Sequence, residues 1–403
     1  MPLDLAQRTT FEKSLYTPWI FNEMIRPVLY LQNHNDPEAV HEDVLNTVGE
    51  EDVIDIFRKN QRLFQAPENL RITLNGRRLT PFGTAAGMDK NGDALLAFSY
   101  VFGFQETGTV VVNPREGNKR PRVATDNKKE DLYNAQGFPS RGLSYFKTNL
   151  ANLRDVRGKP DSCDEFNPST LQKYPLVYVS ICGLPMSEEN AIDIAMKETE
   201  TLVRELELGS DAFVWNPFSP NTATLTKLRT PQIFKETAEL IKKYSPAKLL
   251  LVKMGPYEDN DTERKQYLDL VSGFLEGGGH GVVAVNTKMF PKEQIPAKDW
   301  GYPSGGRSGR FLKPYRMRAV SETRKAFPNA VIFATGGIYD GNDAYETFKS
   351  GATALEGYTP YTFHGLGLLP RIQRRVAERL RKDGYKNLEE LQLEARHGAN
   401  LVA

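Results

Sequence analysis

The chain has 403 residues, 39% hydrophobic and 26% charged, a balance that excludes a disordered chain, a collagen-like repeat and a disulfide-built scaffold. Its formal net charge of +1 gives no global field for nucleic acid or an anionic membrane, so a charged ligand has to be caught locally. Cys163 and Cys182 are the only cysteines, too few for metal-ligand spacing, and they point to a reducing, cytoplasm-facing compartment.

No stretch of roughly 18 apolar residues occurs and no basic segment leads into an apolar one at the start, which disfavours membrane spanning and secretion. Residues 12–66 read as short amphipathic helices. Leu15, Trp19, Ile20, Met24 and Ile25, then Val40, Val44, Leu45 and Val48, recur near helical spacing, with breaks expected at Pro27 and over 33–37. Their apolar sides have to lie against the main body, the commoner solution, or against a lipid interface.

From about residue 70 the rhythm changes. After a hairpin signal in LRITLNGRRL come eight short apolar runs: 82–87, 102–111, 176–183, 212–218, 249–255, 281–287, 331–337 and 354–359. Helical stretches separate most of them, such as 187–206, 231–244, 264–277, 313–327 and 340–351. Eight buried strands with helical crossovers predict a closed (β/α)8 TIM barrel of the α/β class, with a doubly wound open sheet as the alternative. The expected division is a helical extension over 1–66 and a barrel over 67–403. Two connections, after the second and sixth strands, are long enough to cover the active face, and 158–170 is polar enough for a surface loop.

In a barrel the residues that close the strands carry the chemistry. Here they are Lys90, Thr109, Ser180, Asn216, Ser219, Asn221, Lys253, Asn286, Thr287, Gly337, Tyr358 and Thr359. Lys253 lies inside the apolar run LLLVKMG, so its ammonium requires an ion-pair partner or an anionic ligand. Lys90 is a weaker signal alone, since a lysine beside Asp89 on a turn is most often an exposed pair. Ser219 stands between Pro217 and Pro220 in a rigid loop, and the five histidines suggest no hydrolase triad. GGRSGR at 305–310 and TGG at 335–337 supply backbone without bulk near the last strands, a phosphate cradle together with Tyr358 and Thr359.

Taken in order, AAGMDKNG, ETGTV, PREGNKRPR, YNAQGF, NPFSPNT, VKMGP, VNT, GGRSGR, ATGGI and GYTPYTFHG resemble the dihydroorotate dehydrogenases, over about 26–386. The segment RPVLYLQNHNDPEAVH is similar to the helical extension of the quinone-using, membrane-associated class, and Ser219 matches that class where the soluble class has Cys. The resemblance implies oxidation of dihydroorotate to orotate in pyrimidine (UMP) biosynthesis, with hydride passing to flavin mononucleotide (FMN). It gives Ser219 the role of base and places Lys90 on substrate and flavin. It gives the pyrimidine and its carboxylate to Asn134, Gly137, Phe138, Asn216, Asn221, Asn286 and Thr287. Ala86, Gly87, Thr109, Ser180, Asn216 and Lys253 would line the flavin, and Gly309, Gly337, Tyr358 and Thr359 would bind its phosphate.

The resemblance further implies reoxidation by a quinone and peripheral contact through 12–66 at the cytoplasmic side of a membrane, with His41 near a quinone tunnel. A soluble cytoplasmic enzyme using fumarate is the alternative, and another FMN barrel acting on a related dihydropyrimidine is the rival reading. Ser180, Thr125, Ala135 and Phe218 depart from the quinone-using pattern.

Overall fold

The computed structural model describes residues 17–157, 176–185, 187, 189–219 and 222–400; Leu15, Asn221 and the stretch 158–170 with Cys163 lie outside them. Each of the eight apolar runs contains one strand: β1 (Phe82–Thr84), β2 (Phe104–Val110), β3 (Leu176–Ile181), β4 (Ala212–Trp215), β5 (Leu249–Met254), β6 (Gly281–Ala284), β7 (Val331–Thr335) and β8 (Ala354–Gly357). They pair in parallel in chain order and close when β8 meets β1, with Glu356 opposite Gly83, so the open-sheet alternative falls away. Nearly every strand residue is buried, as a strand flanked by a barrel core and a helix requires.

The crossover helices begin where the sequence offers caps. Thr230 accepts from Ile233 N at 3.2 Å ahead of Pro231–Tyr244, Asn260 accepts from Glu263 N at 2.9 Å ahead of Asp261–Glu276, and Asp340 accepts from Asn342 N at 2.7 Å ahead of Gly341–Lys349. The hairpin Ile72–Leu74 with Arg77–Leu79 turns at Asn75 and Gly76, both at positive φ. Asn75 donates to Ala247 O just before β5, which seats the hairpin by the strand starts.

Inside the barrel, side chains two apart on a strand share a face. Phe104, Tyr178 and Phe333, from β2, β3 and β7, meet with ring centroids 4.9–5.7 Å apart and form an aromatic floor. One step further up come Glu106, Ser180 and Thr335, which face the strands' carboxyl ends.

The two long connections build one structure. Val123–Asp126 and Asp131–Asn134 from the first pair antiparallel with each other, Ser304–Gly309 from the second adds to Asp131–Asn134, and Lys288–Pro291 completes four strands. GGRSGR, read from sequence as backbone for a phosphate, is mostly a strand of this sheet. Gly305 is small because a Cβ there would lie 2.7 Å from the Trp300 ring, which sits in a satellite core with Tyr133, Ala135 and Ile295.

At the other end, the chain stays helical through Pro27, contrary to the expected break. A wide turn over Phe21–Ile25 precedes Arg26–Gln32, so Pro27 falls in the first turn of that helix, where its missing N–H costs little. The break over 33–37 is present, with His34 and Asn35 at positive φ and Asp36 capping Pro37–Val48. Val48, Val53, Ile56, Phe57 and Phe64 belong to the same continuous core as the barrel.

Candidate active site

The carboxyl ends of the strands open into one cleft lined by glycine backbone, amide and hydroxyl side chains and two lysines. Gly87 N donates to Gly108 O at 2.9 Å, folding the segment after β1 over β2. Asp89 is spent on backbone: its carboxylate accepts from Asp93 N at 2.9 Å and Ala94 N at 3.0 Å, and its carbonyl accepts from Thr107 Oγ1 at 2.6 Å. Burial, and then Asp93, lifts its carboxyl to about 7. Lys90 is thereby turned into the cleft and is no surface partner of its neighbour. Burial pulls its ammonium down to about 8, against the attraction of Glu38.

The amide and hydroxyl groups form a chain across the strand ends. Ser180 Oγ is 3.0 Å from Thr109 Oγ1, Asn216 Nδ2 donates to Thr109 Oγ1 at 2.9 Å, and Asn286 Nδ2 donates to Phe218 O at 3.0 Å and Asn216 Oδ1 at 3.3 Å. Thr287 N donates to Asn286 Oδ1 at 2.7 Å, while Thr287 Oγ1 is buried without a partner, a polar atom left for a ligand. Ser219 lines the same cleft from the loop after β4, with Thr222 Oγ1 3.5 Å from its Oγ. Arg229 fixes that loop through Pro217 O at 3.1 Å and Ser219 O at 3.3 Å. From the antiparallel sheet and its continuation, Asn134, Gly137 and Phe138 face the cleft; Asn134 Nδ2 is held by Gly306 O at 3.2 Å.

On the opposite side, Ala86, Gly87, Gly337, Tyr358 and Thr359 line the wall, with Ser308 Oγ 2.9 Å from Thr359 Oγ1. Gly337 has φ +70°, and a Cβ there would lie 2.8 Å from Lys313 N, so only glycine presents its backbone here. Ser180 and Gly309 do not reach the cleft wall. Ser180 is fully buried behind Thr109, and Gly309 is packed where a Cβ would lie 2.3 Å from Asp131 Oδ1.

Lys253 has the ion-pair partner that its apolar run demands. It lines the cleft, and its Nζ reaches across the barrel to Glu106 Oε1 at 3.2 Å and Oε2 at 3.0 Å. Sequence reading missed Glu106 and Glu356, although each interrupts an apolar run as Lys253 does. Gln136, Ser308 and Thr335 also line the cleft without having been singled out.

The helix Pro37–Val48 packs beside the cleft, against Arg122 and Tyr358. Glu38 holds Arg122 through Arg122 Nη2 at 2.8 Å and Nε at 3.0 Å, and the His41 ring lies 5.4 Å from that of Tyr358. Burial first, then Lys90, lowers His41 to about 3, so the imidazole is neutral. Farther out, Trp19, Met24, Val28 and Leu31 leave an apolar stripe in solvent.

Two departures have local reasons. Phe218 is accommodated because position 255 is glycine, where a Cβ would lie 2.8 Å from its ring. Ala135 faces the satellite core, where an arginine has no room. Thr125 lies on the strand beside the Arg122–Glu38 contact, and nothing in the structure explains its identity.

A profile of the family described as dihydroorotate dehydrogenase matches residues 70–380. The chain is 30% identical over 385 residues to "Dihydroorotate dehydrogenase (quinone)" of Deinococcus deserti, covering 92% of this chain and 98% of the relative. It is 31% identical over 339 residues to the protein of the same name from Rhodospirillum rubrum, covering 80% and 82%. Among solved structures, the DHODH of Eimeria tenella in complex with ferulenol superposes with a TM-score of 0.73 at 26% identity, over 88% of this chain and 94% of that one. A match that spans both the barrel and its covering sheet, laid over a cleft lined by those shared motifs, makes the chain a member of the dihydroorotate dehydrogenase family.

Proposed function

We propose that the chain oxidises dihydroorotate to orotate in pyrimidine biosynthesis, with its flavin bound as FMN and a quinone as the final acceptor. The observation that carries this reading is the convergence of Ser219, Lys90, Asn134, Asn216, Asn286 and Thr287 on a cleft whose buried end holds Lys253. The groups fit a flavin and a pyrimidine. The unpartnered Thr287 Oγ1 suits a polar ring, and the glycine backbone at Gly337 with Ser308 and Thr359 suits a phosphate.

Bound FMN supplies the hydride acceptor. Ser219 takes the proton from ring carbon 5 of dihydroorotate while hydride leaves carbon 6. A serine is a weak base at neutral pH, so exclusion of water by Phe138 and by the loop that Arg229 fixes has to raise its competence. The asparagines hold the ring without adding charge, their own amides already oriented by the hydrogen-bond chain through Thr109. Lys90 would meet the substrate carboxylate, and Lys253 would help hold a bound flavin and supply positive charge to its electron-rich pyrimidine end. Asn221, next to this set in sequence, is assigned to the substrate by resemblance alone.

Relatives named for quinone support the acceptor, as do the extension beside the cleft and the apolar stripe at Trp19, Met24, Val28 and Leu31, which suits a peripheral membrane contact. Among the described residues no helix is long and apolar enough to cross a membrane. Residues 1–66 are accordingly the acceptor-facing extension and 67–403 the catalytic barrel. Anaerobic reduction with dihydroorotate, followed by separate additions of quinone and fumarate, tests this. Reoxidation by quinone alone is expected; reoxidation by fumarate alone would move the chain to a soluble acceptor, and no bleaching would end the reading.

A further inference from the structure

The buried end of the cleft contains a second acid. Glu356, next to last in β8, lines the cleft and is 2% exposed; the side chain within hydrogen-bonding reach is another acid, Glu106, and no donor reaches either carboxyl oxygen of Glu356. Its neighbours explain why. The cation beside it, Lys253, already gives its ammonium to both oxygens of Glu106, at 3.0 and 3.2 Å, and Glu106 is itself fully buried. Below lie the rings of Phe104, Tyr178 and Phe333, which admit no water from the barrel floor. Two carboxylates and one ammonium in such a place would leave a buried uncompensated negative charge, which costs several kcal/mol. A protonated Glu356 removes it and leaves the trio neutral.

We infer that Glu356 is kept as a neutral carboxylic acid and donates its proton in a hydrogen bond to a carbonyl acceptor on the pyrimidine end of the flavin, beside Lys253. The inference rests on the cofactor reading above. The geometry favours a donor: the internal group within its hydrogen-bonding reach is Glu106, both of whose oxygens already accept from Lys253, so a carbonyl held in the cleft is the acceptor still free. The direction of its titration agrees, since burial, and next the charge of Glu106, raise the Glu356 carboxyl well above its usual range, with Lys253 opposing. Tyr178 is the remaining titratable group that senses it, and burial keeps that phenol un-ionised. The carboxylic acid thus joins Lys253 as a donor that strengthens as electrons enter the ring. Ionisation of Glu356 at higher pH would replace a donor by a negative charge at the same spot, and the flavin would become harder to reduce.

Infrared spectra of the holoenzyme decide the matter, because an un-ionised carboxylic acid has a carbonyl stretch that carboxylates lack. At about pH 7, where an ordinary carboxyl is ionised, the wild type minus Glu356→Gln difference is expected to show that band. On reduction with dithionite the band is expected to move to lower frequency in the wild type, with no counterpart in Glu356→Gln. Glutamine preserves size and neutrality, so both proteins should fold and bind flavin alike, which visible absorbance checks. A difference spectrum without the band would show Glu356 ionised and overturn the inference. A band indifferent to reduction would overturn the contact with flavin. Colourless protein that still shows the band would refute the cofactor reading while leaving the neutral acid standing.

Discussion

At the scale of single residues, the cross-barrel pair is the most exposed to test. Removing Lys253 leaves the fully buried Glu106 without its cation, and breaking a buried pair by deleting one partner typically costs ~3–5 kcal/mol. Lys253→Met is expected to lose that order of stability in denaturant unfolding, and Lys253→Met with Glu106→Gln to regain most of it; equal loss in both would mean the pair is not coupled. Lys90 gives a pH dependence. Its ammonium is charged below about 8 and neutral above, so orotate affinity, read from flavin absorbance, should fall as pH rises through that value. In Lys90→Met the affinity should be low and flat with pH. Ser219→Ala should keep flavin and orotate while slowing reduction by dihydroorotate roughly 10²–10⁴-fold, the usual worth of a positioned base. Lys253 was legible in the sequence because a charge inside an apolar run demands a partner. Glu106 and Glu356 carried the same signal, but only coordinates tell which acid receives the one ammonium.

Among elements, the extension is held to the barrel by Glu38 with Arg122 and by His41 against Tyr358. His41 has its folded pKa depressed from 6.5 to about 3, so its contribution is complete above the unfolded value and fades as pH falls from there toward 3. Hydrogen exchange over 37–48 should therefore quicken on acidification before the barrel opens, and His41→Phe, which keeps the ring contact, should suppress that change. Exchange that stays uniform along the chain would contradict a separate acid-sensitive docking. The crossover helices were legible as longer charged stretches between the apolar runs, but their starts were not: the caps Thr230, Asn260 and Asp340 were not read, and the stretch taken from 264 begins at Asp261. Pro27 was misread as a breaker because a proline in the first turn of a helix resembles, in sequence, one that ends it.

For the molecule as a whole, eight apolar runs separated by helices leave few alternatives to a closed barrel, and the polar residues at their ends converge without further information. The antiparallel sheet over the face was not legible. Its strands are short, Gly-rich or polar, and their register joins positions such as Gly309 and Asp131 that no local pattern connects. Gly305→Val tests this sheet: the added side chain meets Trp300 and should loosen exchange protection over 123–134 and 304–309 while the barrel strands keep theirs. Orotate affinity should drop with it, because Asn134 rides on the same sheet. The most direct measurement is a crystal structure of the protein with flavin and orotate. The flavin's pyrimidine end should lie against Lys253 and Glu356, with orotate stacked on the ring toward Ser219 and its carboxylate near Lys90. Orotate bound away from Ser219, or a flavin whose phosphate lies far from Gly337 and Thr359, would contradict the assignment of this cleft.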